Sequence, residues 1–228
     1  MGEFSKYEEF QQFVEDECAR RLRAYDAQPR DANEHFETEI EVLSGGYAYR
    51  QLFELIQNAA DAIQESGDAS GRIYVRLEPN RFLTANTGAP LDQDGIVALL
   101  NARSSAKRSG QIGRFGIGFK SLLKLGGIVD IVSRSIGLRF DPDWCREKIR
   151  EHLGLSADAR APGMRLAQVL DPDAEDGPFW KYGDFAWATT VVSAAITDEK
   201  VFERLTKEME GLVRGNWRAW HWADNVSQ

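Results

Sequence analysis

Glu54, Asn58 and Asp61 lie within one short stretch, Glu-Leu-Ile-Gln-Asn-Ala-Ala-Asp-Ala, and carry side chains suited to metal-assisted phosphate chemistry. In a helix, residues three or four apart stack on one face. A carboxylate, a carboxamide and a second carboxylate, with Glu65 beyond them, therefore line one side. Leu55, Ile56, Ala59 and Ile63 lie towards the other. Glu54 has the chemistry of a general base that orients and deprotonates a water. Asn58 offers a neutral carbonyl oxygen suited to Mg2+, an ion that keeps several waters and prefers substrate phosphates to a protein cage. Asp61 suits the outer shell of that ion, or the bracing of a basic neighbour. A solvated helix face would account for the acids alone. Asn, however, is a poor mid-helix residue, and its place between two acids asks for a reason.

A second motif supplies one. Gly113-Arg114-Phe115-Gly116-Ile117-Gly118-Phe119-Lys120 is a glycine-rich run leading into a helix start. Glycines leave peptide N–H groups unshielded, and the amino end of a helix favours anions. Arg114 and Lys120 add full positive charge, and Lys107 and Arg108 on the preceding polar loop are placed to close over a phosphate. The order Gly-x-x-Gly-x-Gly differs from both the dinucleotide fingerprint and the Walker loop. The whole run from Gly113 to Lys120, with Lys107, is the expected cofactor contact. Phe115 and Phe119 read more readily as core residues than as base-stacking rings. Between the two motifs, Asn86-Thr87-Gly88 closes a predicted strand, where an amide can read a purine edge or simply form an Asx turn. Thr189 or Thr190 on a late strand offers a hydroxyl to the same base.

The elements that must position these groups follow from periodicity. Phe4, Tyr7, Phe10, Val14, Cys18, Leu22 and Tyr25 mark an amphipathic helix over 3–25. A second helix is predicted over 47–65. A hairpin follows over 72–77 and 81–85, then a short helix over 91–100 and a polar loop over 101–112. Helix is expected again over 119–125, a strand pair over 128–133 and 136–140, and a short helix over 144–153. A strand over 186–193 and a last helix over 198–213 complete the reading. Trp217, Trp220 and Trp222 cluster in the tail as a contact surface.

Hydrophobic residues make up 43% of the chain and charged ones 28%, enough to bury a core. The formal net charge of −8 argues against a general nucleic-acid or membrane surface. Cys18 and Cys145 suggest neither a disulfide framework nor a zinc site. No stretch reads as a signal core or a bilayer span. The expectation is a soluble cytoplasmic protein that contacts neither membrane nor nucleic acid.

The four segments, in this order, resemble the GHKL ATPases, most closely the ninety-kilodalton heat-shock chaperones and the amino-terminal repeats of sacsin. The likeness covers roughly residues 47–193. It implies the Bergerat fold, an α+β two-layer sandwich with a mixed, mostly antiparallel sheet covered on one face by helices. It also implies ATP and Mg2+ as cofactors, with Glu54 as the water-activating base and Asn58 as the metal ligand. Asp61 then walls the nucleotide, Asn86 and Gly88 match the adenine motif, Gly113, Gly116 and Gly118 the phosphate loop, and Thr189 the adenine-side threonine. Two positions depart from that pattern. Asn86 stands where most of the superfamily has Asp, a neutral acceptor weaker by about 1 kcal/mol. Ala89-Pro90 replaces the motif's second glycine.

The organisation implied is an amino-terminal helix (1–30), the ATP-binding domain (31–197) and a carboxy-terminal helix with a Trp-rich tail (198–228). The chain is expected to be part of a longer chaperone-like or defence-like protein. Lid closure on ATP, with slow hydrolysis to ADP, would move attached domains, a protein client or a second copy in a homodimer. The alternative is a nucleotide-sensing interaction module that does not hydrolyse. A histidine-kinase role is disfavoured, because His35, His152 and His221 lack a phosphoacceptor helix context.

Overall fold

A computed structural model describes residues 7–44, 51–101, 117–171 and 185–213. The predicted first helix is α1 (Tyr7–Ala27), which buries Phe10, Val14 and Tyr25 along its apolar stripe. After Pro29 comes α2 (Arg30–Ser44), to which periodicity assigns no element. Its inward residues include Thr38 and Glu39, so the buried face carries too little hydrophobic signal to be seen. The motif-bearing helix is α3 (Gln51–Ser66).

The hairpin is β1 (Ile73–Glu78) and β2 (Arg81–Asn86), turning at Pro79-Asn80, and α4 (Gln93–Leu100) follows with Asp92 as its N-cap. Asp92 Oδ1 accepts from Gly95 N at 2.8 Å, which satisfies an otherwise orphan donor. A single turn, α5 (Ile117–Lys120), passes into a 3-10 turn over Ser121–Leu125. Next come β3 (Gly126–Ser133), β4 (Ile136–Phe140) and α6 (Pro142–Leu153), the last capped by Asp141 and ended by left-handed Gly154. The short β5 (Gln168–Val169), β6 (Thr190–Ile196) and α7 (Glu199–Val213) complete the described chain.

The six strands form one sheet in the order β1-β2-β6-β3-β4-β5. Every described pairing is antiparallel, where a mixed, mostly antiparallel sheet was expected. Alternation gives the sheet two distinct faces. Phe82, Ala194, Val129 and Phe140 form one cross-strand row, and Val192, Ile131 and Leu138 belong to the next. Both rows join the main core with Phe10 and Val14 of α1, Leu52 and Leu55 of α3, and Val201 and Leu205 of α7. On the opposite face Leu83, Ala85, Val132 and Val191 pack with Phe185 and Trp187. The architecture is thus a mixed α/β arrangement of helices on an antiparallel sheet.

Both cysteines are free thiols, Cys18 half-buried and Cys145 fully buried. Among the described residues no helix is long and apolar enough to cross a membrane.

Candidate functional site

Beyond the two apolar rows, the same face of the sheet carries a polar one. Asn86, Thr190 and Ser133 are register partners across β2, β6 and β3. Asn86 and Thr190 of this row form the floor of an open cleft whose opposite wall is α3. From α3 the cleft receives Leu55, Asn58, Asp61 and Glu65, and from the loop into α4 it receives Pro90 and Asp92. Thr84, two residues before Asn86 on β2, also lines it.

Asn58 is the informative residue. Its side chain is buried, and neither Oδ1 nor Nδ2 has a hydrogen-bond partner. Leaving a buried amide unbonded costs about 1–3 kcal/mol. A folded protein tolerates that where another molecule completes the bonds. Asp61 and Glu65 sit on the same wall, while Glu54, one turn before Asn58, is half-buried and outside the described lining. No group of three or more His, Cys, Asp or Glu side chains placed to hold a metal occurs among the described residues. Asn58 Oδ1 fits a hard cation that takes its remaining ligands from water and phosphate oxygens.

The loop between β2 and α4 is pinned to α3. Gly88 packs on the helix backbone so closely that an added Cβ would lie 2.4 Å from the Ala62 carbonyl carbon. Ala89 N donates to Ala62 O at 2.8 Å, and Gly88 N donates to Asn86 Oδ1 at 2.9 Å. Gly88 is thus a close-approach glycine beneath the cleft and lies outside its described lining. Leu91 N donates to Ser133 Oγ at 2.8 Å, and Ser133 Oγ lies 2.8 Å from Thr190 Oγ1.

The threonine at the cleft is Thr190, whereas the family pattern pointed to Thr189. Strand alternation decides this, because Thr190 shares a row with Asn86. Thr189 instead makes backbone bonds, donating its N–H to Asn86 O and accepting from Arg134 N.

The glycine run is described only at its end. Lys107, Gly113, Arg114, Phe115 and Gly116 lie outside the described residues, as do Arg108 and the tail tryptophans. Ile117 and Gly118 open α5, which packs on α3. Gln51 Nε2 donates to Ser121 O at 3.1 Å and ties the following turn to the start of α3. Phe119 is a core residue, edge-on to Phe140 with ring centroids 5.1 Å apart.

Lys120, expected at phosphate, is fully buried elsewhere. Its ammonium donates to Met164 O at 3.1 Å and Leu99 O at 3.5 Å. Arg165 Nη1 donates to Leu100 O at 2.6 Å, and Arg21 reaches both Leu100 O and Val97 O. Three buried cations therefore gather at the carboxyl end of α4, where unpaired carbonyls carry negative partial charge. Nearby, Glu39 accepts from Gly163 N at 2.7 Å and Met164 N at 3.0 Å.

Burial pulls the Lys120 ammonium from 10.5 down to about 8, with the Glu39 carboxylate opposing the shift and Arg165 and Arg21 adding to it. Between these two values the unfolded chain binds the extra proton, so Lys120's contribution to stability rises with pH. Burial also raises the Cys145 thiol to about 12 and pushes the Tyr25 hydroxyl up. Lys120 must therefore be isolated by difference. The unfolding free energy of wild type minus that of Lys120→Met is expected to grow from pH 8 to pH 10.5. A flat or falling difference in chemical denaturation would contradict the assignment.

Some of this cleft was accessible to sequence reasoning. Thr84 follows from Asn86 by strand alternation, and Asp92 from its N-cap spacing to Gly95. Ser133, which hydrogen-bonds the cleft residue Thr190, carried no local signal. The chain matches no protein-family model and no curated protein.

Proposed function

We propose that this chain is a nucleotide-binding module that takes the magnesium complex of a purine nucleoside triphosphate, as GHKL ATPases take ATP. The buried, unpartnered amide of Asn58 on the wall of the cleft carries this reading. In it, the described α/β core is a Bergerat fold. The base would lie over Asn86 and Thr190, and Asn58 Oδ1 would hold the metal. Asp61 braces the wall beside the nucleotide, and the run from Gly113 to Gly118 takes the phosphates. Bound Mg2+ would neutralise phosphate charge and draw its oxygens into register.

The chain is proposed to act in a chaperone-like or defence-like protein, converting lid closure into movement of attached domains or a second copy. Glu54 lies outside the described lining. That observation favours a second reading, nucleotide sensing without hydrolysis.

Titration calorimetry with ATP and Mg2+, on wild type and on Asn58→Leu, tests the proposal. Leu removes the unbonded amide at similar volume, so the free variant is expected to be more stable by about 1–3 kcal/mol. It should also lose the magnesium-dependent part of binding. Absence of both heat and thermal shift in wild type at millimolar nucleotide would remove the proposal. Phosphate release in the same samples separates hydrolysis from sensing.

A further inference from the structure

Resting on the nucleotide reading above, we infer that the cleft selects a 6-oxopurine nucleotide, guanosine or inosine triphosphate, over ATP. The Asn86 amide has a defined orientation. Gly88 N donates to Asn86 Oδ1 at 2.9 Å, which assigns oxygen and nitrogen within the side chain. A flipped amide would set two donors against each other.

The turn cannot readily relax to avoid this. Gly88 lies against the α3 backbone, and Ala89 N is bonded to Ala62 O. With the loop held, the amide is held.

An amide with both atoms free reads adenine through a pair of bonds, its oxygen accepting from the exocyclic amine and its nitrogen donating to a ring nitrogen. Here the oxygen already serves Gly88, and the part of Asn86 that remains is a donor. Ser133 Oγ accepts from Leu91 N–H and lies 2.8 Å from Thr190 Oγ1, and either hydroxyl can donate to the other, so Thr190 suits a donor or an acceptor. The Asn86 donor decides: it complements a carbonyl oxygen at C6 and opposes an amine there. Oδ1 retains a second lone pair, so the selection is a preference and not an exclusion.

The test compares binding of ATP, GTP and ITP, each with Mg2+, to wild type and to Asn86→Asp, with inorganic tripolyphosphate as a base-free probe. GTP and ITP are expected to bind wild type about tenfold more tightly than ATP, the value of one well-placed hydrogen bond. ITP removes any contribution from guanine's 2-amino group. Asp at position 86 still accepts from Gly88 N–H but exposes a second acceptor, so the order should reverse in favour of ATP.

ATP binding wild type as tightly as GTP and ITP, or tripolyphosphate binding with no nucleotide preference, would overturn the base selection and leave the nucleotide reading standing. No binding of any probe would overturn both. If the variant does not fold, the wild-type comparison decides alone.

Discussion

Glu39→Ala is expected to lower the unfolding free energy by about 3–5 kcal/mol, the cost of removing one partner from a buried charged network. Glu39 is 3% exposed and satisfies two backbone donors, Gly163 N and Met164 N. Met164 is shared, because its carbonyl accepts from Lys120. Alanine would strand both N–H groups and remove the carboxylate that offsets the burial of the Lys120 ammonium. For a chain of this size the melting temperature should fall by about 10 °C or more. Glu39→Gln keeps one acceptor oxygen and is expected to recover part of the loss. A loss below about 1 kcal/mol by urea unfolding, the value of an ordinary surface change, would show that the network does not hold the end of α4.

Gly88→Ala should cost about 2–4 kcal/mol, combining overpacking with the loss of at least one hydrogen bond. The obstruction is backbone: the new methyl would sit 2.4 Å from the Ala62 carbonyl carbon and 2.5 Å from Ile63 N. No rotamer relieves that contact. The loop must lift from α3, breaking the Ala89–Ala62 bond and freeing the Asn86 amide. Thermal unfolding measures the first effect. The second is read in nucleotide preference, which should flatten between adenine and 6-oxopurine bases. A variant as stable as wild type would mean that the loop is not pinned.

Most of the secondary structure was legible because it follows short-range periodicity. The stripe of α1, the hairpin at Pro79-Asn80 and the capped α6 each announce themselves within a few residues. The failures share a cause. α2 was hidden because its inward face includes Thr38 and Glu39, buried polar residues whose partners are more than a hundred positions away in the case of Glu39. The last strand begins at Thr190 and runs to Ile196, later than its β-branched composition implied, because pairing with β2 and β3 sets its register.

The site divides in the same way. Local spacing alone placed Asn58 and Asp61 on one face of a helix, since 3.6 residues per turn is a property of the backbone. Lys120 shows the limit: next to a glycine run it reads as a phosphate ligand, yet the fold turns it towards the carbonyls of Leu99 and Met164. Likewise, only long-range register chose Thr190 over Thr189, and only the packing of Gly88 on α3 decided which atom of Asn86 is spent on the turn. Sequence by itself determined which residues share a helix face. Tertiary structure determined which of them meet a cleft, because strand register and loop docking are settled by contacts between segments far apart in the chain.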